Sequence, residues 1–252
     1  MSEREEVSKD WSTAMNNISI VLVEPRGPAN IGATARAISN CGLHDLVLVN
    51  PCEYHNDECF GRACNSGEVV LNARVFPTLS ECVSEFAFVM GTTRRTGKLR
   101  EPLTDLPGAV RMIKGMSESN SVAILFGRED RGLVNTELAL CDALVELPAH
   151  EDYPSLNLSH AVFLLCHYLY MDTGEREPFR AITAAPREER DKMYVHLEEM
   201  LRALDYGDEG REFLLRAIMK NFRVLFGRTS LMEKEVNMLR GLFAQILVRL
   251  GR

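Results

Sequence analysis

Three short stretches of this chain concentrate side chains able to bind, orient or activate a substrate. The first runs from Arg26 to Arg36, where Asn30 and Arg36 stand six residues apart across the junction of a loop and a helical pattern. The second is Gly127-Arg128-Glu129-Asp130-Arg131-Gly132-Leu133. The third runs from Pro148 to Ser159 and ends in Ser155-Leu156-Asn157-Leu158-Ser159. An amide such as Asn30 or Asn157 both donates and accepts, a carboxylate such as Glu129 only accepts, and a guanidinium such as Arg36 only donates. That mixture suits holding a polar substrate and stabilising charge that develops on an oxygen. Plainer roles compete. Asn30, Ser155 and Asn157 are good helix-capping types, Glu129 reads equally as a surface carboxylate, Gly127 as a turn residue, and Arg36 as a helix arginine holding a phosphate.

Other chemistries lack their residues. The stretch after the first strand, EPRGPANIGATARA, holds neither a G-x-G-x-x-G nor a G-K-[ST] signature, so a dinucleotide site or a P-loop has no support. The seven cysteines (Cys41, Cys52, Cys59, Cys64, Cys82, Cys141, Cys166) are odd in number and contain no C-x-x-C pair, which suits reduced thiols in a cytoplasm. The six histidines fall at no ligand spacing, so no metal site is expected, and His160 and His167 are assigned packing or capping roles on their helix. No apolar run approaches the roughly 20 residues of a membrane helix. Residues 1–16 read as a frayed tail whose charged start, Met1 to Asp10, lacks the apolar stretch of a secretory signal. With a net charge of −7, a nucleic-acid binder must gather its cations locally. Arg94, Arg95, Lys98 and Arg100 form one acid-free cluster, and Arg216, Lys220, Arg223 and Arg228 another; each reads either as a phosphate contact or as a solvated face.

The elements that must position these groups follow from hydrophobic periodicity. Near-continuous apolar runs at Ile18 to Val23, Leu46 to Val49, Ala73 to Phe76, Phe86 to Met90, Val122 to Phe126 and Ala143 to Leu147 predict strands buried on both faces. Helical patterns at Ile31 to Asn40, Val134 to Leu140 and Leu158 to Tyr170 alternate with them, so residues 17–173 are expected to form a mainly parallel α/β sheet covered by helices. The helix from Leu158 is apolar over more than one stripe, as a central or interface helix requires. Residues 174–186 read as a linker, and 187–252 as a small all-helical appendage of three amphipathic helices. All three polar stretches follow strands, and in open α/β sheets ligands gather outside the carboxyl ends of strands.

In that order and after those strands, N-I-G-A-T-A-R, F-G-R-E-D-R-G-L and S-L-N-L-S resemble the three motifs of the SPOUT RNA 2′-O-methyltransferases of the TrmH class. MYVHLEEML and KNFRVLFGRTSLMEKEVNMLRGL resemble the helical extension of the TrmJ-type tRNA methyltransferases. The resemblance implies a C-terminal trefoil knot, an exception to the rule against threaded chains, and a homodimer. It implies a bent S-adenosylmethionine held by Thr92, Thr93, Arg94, Gly127, Leu147, Pro154, Ser155 and Leu156. Arg36 becomes the catalytic residue, either as a base toward the ribose 2′-hydroxyl or as a stabiliser of the alkoxide, with Asn30, Glu129, Ser155 and Asn157 orienting substrate or arginine. RNA contacts fall to Arg94, Arg95, Arg216, Lys220 and Arg223. The implied substrate is tRNA, at the pyrimidine in position 32 of the anticodon loop. Ribosomal RNA or another tRNA position is the alternative, and a non-catalytic RNA-binding protein on the same scaffold the more distant one. No membrane and no metal enter the reading.

Overall fold

The computed structural model of the chain describes residues 14–93, 103–150, 152–153, 155–172, 183–208, 210–229 and 231–251. The basic stretch from Arg94 to Arg100, which includes Arg95, therefore lies outside the described residues, as do Pro154, residues 1–13 of the expected tail and 174–182 of the expected linker. The chain divides into two compact units, Met1–Ala181 and Ile182–Arg252.

In the first unit the elements in chain order are β1 (Ile18–Val23), α1 (Pro28–Asn40), β2 (Asp45–Val49), α2 (Asp57–Ala63), α3 (Gly67–Leu71), β3 (Arg74–Phe76), α4 (Leu79–Ser84), β4 (Phe88–Thr93), β5 (Leu103–Thr104), α5 (Leu106–Ser117), β6 (Val122–Phe126), α6 (Asn135–Leu138), β7 (Ala143–Glu146) and α7 (Leu158–Met171). The seven strands form one sheet in the order β3-β2-β1-β6-β4-β7-β5, with every recorded pairing parallel. Along each central strand alternate residues serve opposite faces. Val21, Val23, Val47, Val49, Val89, Ala123 and Leu125 join Leu79, Cys82 and Val83 of α4 in one core cluster. Their alternates Ile20, Leu22, Leu46, Leu48, Met90, Ile124 and Phe126 are equally buried, which is why those runs lack polar residues. Beyond the sheet, α1 packs on α2 and α7, and α5 packs on α7. Small residues allow the α1–α2 approach: a Cβ on Gly32 would stand 1.9 Å from the Cys59 carbonyl oxygen.

Several boundaries differ from the sequence reading. β3 is only partly buried, because it is an edge strand of three residues. β4 runs on through Thr93, since Thr92 and Thr93 pair with Val145 and Glu146 of β7. The region from Cys52 to Ser66, where the periodic pattern gave no element, contains α2, started by an Asn56 side chain that accepts from the Cys59 N–H at 3.0 Å. α3, α4 and α5 were likewise absent from the periodic pattern, being short or, for α5, interrupted by Pro107 and Gly108 near its start. At the front of the unit Ala14 and Met15 are buried rather than frayed.

The second unit comprises α8 (Arg187–Ala203), α9 (Glu212–Thr229) and α10 (Glu233–Arg249). Met193, Leu197, Met200 and Leu201 of α8 share a core with Leu215 and Met219 of α9 and with Val236 and Phe243 of α10. This unit begins before Arg187: Ala185, assigned to the linker, is fully buried and its N–H donates to the Leu231 carbonyl at 2.7 Å. An alanine next to a proline gives no periodic signal, so only packing reveals it.

Candidate functional site

Strand order reverses direction between β1, followed outward by β2 and β3, and β6, followed by β4, β7 and β5. Crevices open at such switch points, at the carboxyl ends of the strands. The loops that leave β1, β6 and β7 there are the three polar stretches.

At the first of them Pro28 opens α1 at a position where its missing N–H costs nothing, and Gly27 before it makes no side-chain cap. Asn30 is therefore inside the helix rather than at its cap. The Glu129 carboxylate, arriving from the β6–α6 loop, accepts from the Arg26 and Gly27 N–H groups at 3.1 Å each and from Asn30 Nδ2 at 2.9 Å. A carboxylate only accepts, so it fixes the Asn30 amide with its nitrogen inward. Asn30 Oδ1 is left to accept from Asn157 Nδ2 at 3.0 Å. Asn157 Oδ1 in turn accepts the Ser159 N–H at 3.0 Å and its hydroxyl at 2.8 Å, capping α7. One directed chain of hydrogen bonds thus ties together segments 99 and 127 residues apart. Burial alone would push the Glu129 carboxyl up, but the bonds from Asn30 and from the Arg26 and Gly27 backbone outweigh it and hold its pKa below the ordinary carboxylate value.

The loop from Gly127 to Leu133 is folded back on itself. A Cβ on Gly127 would lie 2.1 Å from the Gly132 carbonyl carbon and 2.2 Å from the Leu133 nitrogen, and Gly132 adopts φ +68°, so both positions require glycine. Arg128 turns inward. Its Nε donates to Glu24 at 2.7 Å, and its two terminal nitrogens donate to Glu137 at 3.1 and 2.9 Å. Glu137 also accepts the Val134 N–H at 2.8 Å, starting α6. The Arg128 hydrogen bond is the main cause that holds the Glu24 carboxyl below its ordinary value. Asp130 and Arg131 remain at the outer end, where Asp130 pairs with Arg26 at 2.8 Å.

Between the second and third segments and the end of β4 lies a partly open cleft of about 130 Å³. Its walls include Thr92 and Thr93 from β4, Gly127, then Leu147, Ser155 and Leu156 from the β7–α7 connection, so every described residue of the expected cofactor set meets there. Phe126, Leu133 and Leu158 supply an apolar lining, and Glu129, Asp130 and Arg131 a charged rim. Thr92 Oγ1 donates to the Leu125 carbonyl at 2.8 Å, which fixes the β4 end against β6.

Arg36 departs from expectation. It sits exposed on α1, is absent from the cleft walls, and its Nη1 donates to Cys64 Sγ at 3.4 Å. Six residues of helix carry a side chain about 9 Å along the axis and two-thirds of a turn around it, away from Asn30. In the second unit Arg216 is exposed and Lys220 half-buried, while Arg223 pairs with Asp191 at 3.5 Å and lies 4.2 Å from the centre of the Tyr194 ring. His160 and His167 are exposed rather than packed, with His167 stacked on Phe163 at 5.4 Å. Sequence reasoning assigned no role to Arg128, Arg26 or Asp130. The signal was present: an R-E-D-R run directly after a fully buried strand cannot leave all its charges in water. Among the described residues no cluster of His, Cys, Asp and Glu could hold a metal, and no helix is long and apolar enough to cross a membrane.

Comparison with known proteins follows the same division of the chain. Residues 17–167 match the SpoU rRNA methylase family, and residues 188–252 match the C-terminal domain of the tRNA methyltransferase TrmJ. The chain is 32% identical over 244 residues to the tRNA (cytidine/uridine/adenosine-2′-O-)-methyltransferase TrmJ of Pseudomonas aeruginosa, covering 92% of this chain and 94% of the relative. Against the tRNA (cytidine/uridine-2′-O-)-methyltransferase TrmJ of Sodalis glossinidius it is 33% identical, covering 92% of each chain. The crystal structure of TrmJ from Z. mobilis ZM4 superposes with a TM-score of 0.75 at 33% identity, covering 90% of this chain and 98% of that one.

Proposed function

The chain belongs to the SpoU methylase family, with a TrmJ-type C-terminal domain, and from that premise we propose that it transfers a methyl group from S-adenosylmethionine to a ribose 2′-hydroxyl of tRNA. The observation that carries this reading is the hydrogen-bonded chain Glu129–Asn30–Asn157, which ties all three motif segments together beside a cleft that the second and third of them line. The cleft suits the cofactor: threonine and serine hydroxyls face apolar side chains around a glycine loop too tight for any side chain. Thr92, Thr93, Gly127, Leu147, Ser155 and Leu156 would hold it, and when bound it supplies a methyl group already activated on a sulfonium. The protein contributes orientation and charge. Glu129, which lines the cleft and is kept ionised, locks Asn30 and, through it, Asn157 just behind the lining residues, where their remaining donor and acceptor capacity can align the ribose.

Arg36 is assigned the reacting hydroxyl. A guanidinium keeps its proton in essentially any protein setting, so its part is to meet the negative charge that grows on the ribose oxygen as its proton passes to solvent. Its exposed position outside the cleft walls fits a site completed by a second subunit. α7 presents Phe163, Tyr168, Tyr170 and Met171 to solvent, an apolar face of the kind a homodimer covers. Knotting of the C-terminal part belongs to the same reading and is supported by the sheet, in which β6 enters between β1 and β4 and β7 between β4 and β5. Two domains, 17–173 and a helical one that takes in Ala185 ahead of Arg187, with a tRNA grip at Arg216, Lys220 and Arg223, complete it. The seven free thiols suit a cytoplasmic home.

The test is transfer of labelled methyl to unmodified tRNA, with mass-spectrometric mapping of the product. Modification at position 32 of the anticodon loop is expected; a different tRNA position or ribosomal RNA would correct the substrate. Arg36→Ala is expected to lower turnover at least about a hundredfold with cofactor binding intact. Undiminished turnover would remove Arg36 from the chemistry.

A further inference from the structure

The β6–α6 loop commits its charges in three directions. Arg128 goes inward to Glu24 and Glu137, Glu129 goes sideways to Asn30, and Asp130 and Arg131 remain at the outer end of the cleft wall. There Asp130 Oδ2 takes Arg26 Nη1 at 2.8 Å, while Arg131 Nε stands 3.6 Å from Oδ1, beyond hydrogen-bond reach. All three side chains are close to half exposed, at 51%, 48% and 52% for Arg26, Asp130 and Arg131. The Glu129 carboxylate on the same rim is taken up by Asn30 and by the Arg26 and Gly27 N–H groups, so two guanidiniums and two carboxylates balance here, and only one of those carboxylates faces the guanidiniums, in a chain whose net charge is −7.

We propose that Arg26 and Arg131, set around Asp130, form a phosphate-binding subsite for the RNA backbone beside the nucleotide being methylated. The inference rests on the reading that the cleft serves an RNA ribose. The ribose 2′-oxygen and the adjoining phosphate are separated by a few bonds, so a cleft that takes the sugar must place a phosphate at its rim. A planar guanidinium fork matches phosphate oxygens bidentately and loses little on leaving water. Arg131 is suited to the part because its pairing with Asp130 is loose, and a loose exposed pair is worth little to the fold. Asp130 then moderates the attraction: its carboxylate offsets one of the two guanidiniums that would otherwise both be open to phosphate. The field of the pair reaches inward as well, since Arg131 and Arg26 add to the dominant effect of Arg128 in holding the Glu24 carboxyl low. Exposure at the rim favours an RNA phosphate over the carboxylate of the cofactor's methionine, which the enclosed part of the cleft would seat.

The experiment measures tRNA binding and KM, cofactor affinity by calorimetry, and thermal stability for the full chain and three variants. Arg131→Ala is expected to weaken tRNA binding about threefold to fivefold, and Arg131→Glu by roughly tenfold or more. Cofactor affinity should not change, and the slope of log binding constant against log salt should fall by roughly 0.7–1, as for one lost phosphate contact. Asp130→Asn is expected to move the other way and tighten tRNA binding, a direction that loosening of the loop would not produce. The subsite is overturned if tRNA affinity and salt slope are unchanged, if Asp130→Asn weakens binding, or if cofactor affinity falls as much as tRNA affinity, which would assign the pair to the methionine carboxylate. Absence of methyl transfer by the unmodified chain sinks the parent reading instead; the subsite is then judged on tRNA binding and its salt slope alone.

Discussion

The two ends of the same sheet each carry an arginine held by two carboxylates, and they do different work. At the amino end Arg74 donates to Asp45 at 2.8 Å and to Glu85 at 2.6 Å, with Ser19 also bonded to Asp45. These groups sit on or beside neighbouring strands already in register through β1–β2 and β2–β3 pairing, and Arg74 is 40% exposed. At the carboxyl end Arg128 is 7% exposed and joins Glu24, 104 residues away, to Glu137. No ladder joins Glu24 to Glu137, so the ion pairs of the buried Arg128 do. The lesson is that an arginine between two carboxylates decorates a framework in one place and builds it in another, according to whether backbone pairing has already fixed the geometry. The cleft lies where it has not.

The sharpest way to break this contrast is Gly127→Ala. The added carbon would overlap backbone at 2.1 Å, so the loop must open; a stability loss of about 3 kcal/mol or more and loss of cofactor binding are expected, checked by thermal unfolding and calorimetry. Next comes the direct comparison of Arg128→Met with Arg74→Met. Removing Arg128 strands Glu137 at 13% exposure beside Glu24 at 40%, and because water reaches Glu24 the cost is set at roughly 2–4 kcal/mol, below that of a wholly buried pair. Arg74→Met should cost no more than about 1 kcal/mol. Equal losses in chemical denaturation would erase the distinction drawn here. The smallest expected effect concerns pH. The Glu129 pKa is depressed below its ordinary 4.5, so its contribution to stability is present above that value and fades as pH falls through the depressed one. The unfolding temperature of the unmodified chain should therefore drop more steeply on acidification below about pH 4.5 than that of Glu129→Gln. Parallel curves would show that the carboxylate is not what the network holds.

Much of the fold was legible because its signals are local. β1 and β6 were read to the residue from uninterrupted apolar runs bounded by polar ones, and α7 to within one residue. Apart from α5, the missed elements share a cause. α2, α3 and α4 are at most seven residues long, too short for a helical period to repeat, and β5 has two residues. Asn30, Glu129, Ser155 and Asn157 could be nominated as polar groups in loops after strands, yet nothing local distinguished Asn157 as both cap and link, or showed that Arg36 would point away from the cleft.

What the sequence determined by itself was the alternation of buried strands and amphipathic helices, the glycines that only tight turns tolerate, and the three polar segments with their order. Those properties depend on residues within a turn or two of each other. Tertiary structure alone decided that Glu129 faces Asn30 and Asn30 faces Asn157, and that Arg128 turns inward while Arg131 turns outward. Hydrogen bonds have direction and short reach, so partners 99 and 127 residues apart are chosen by the sheet order that brings their loops together, not by any pattern along the chain.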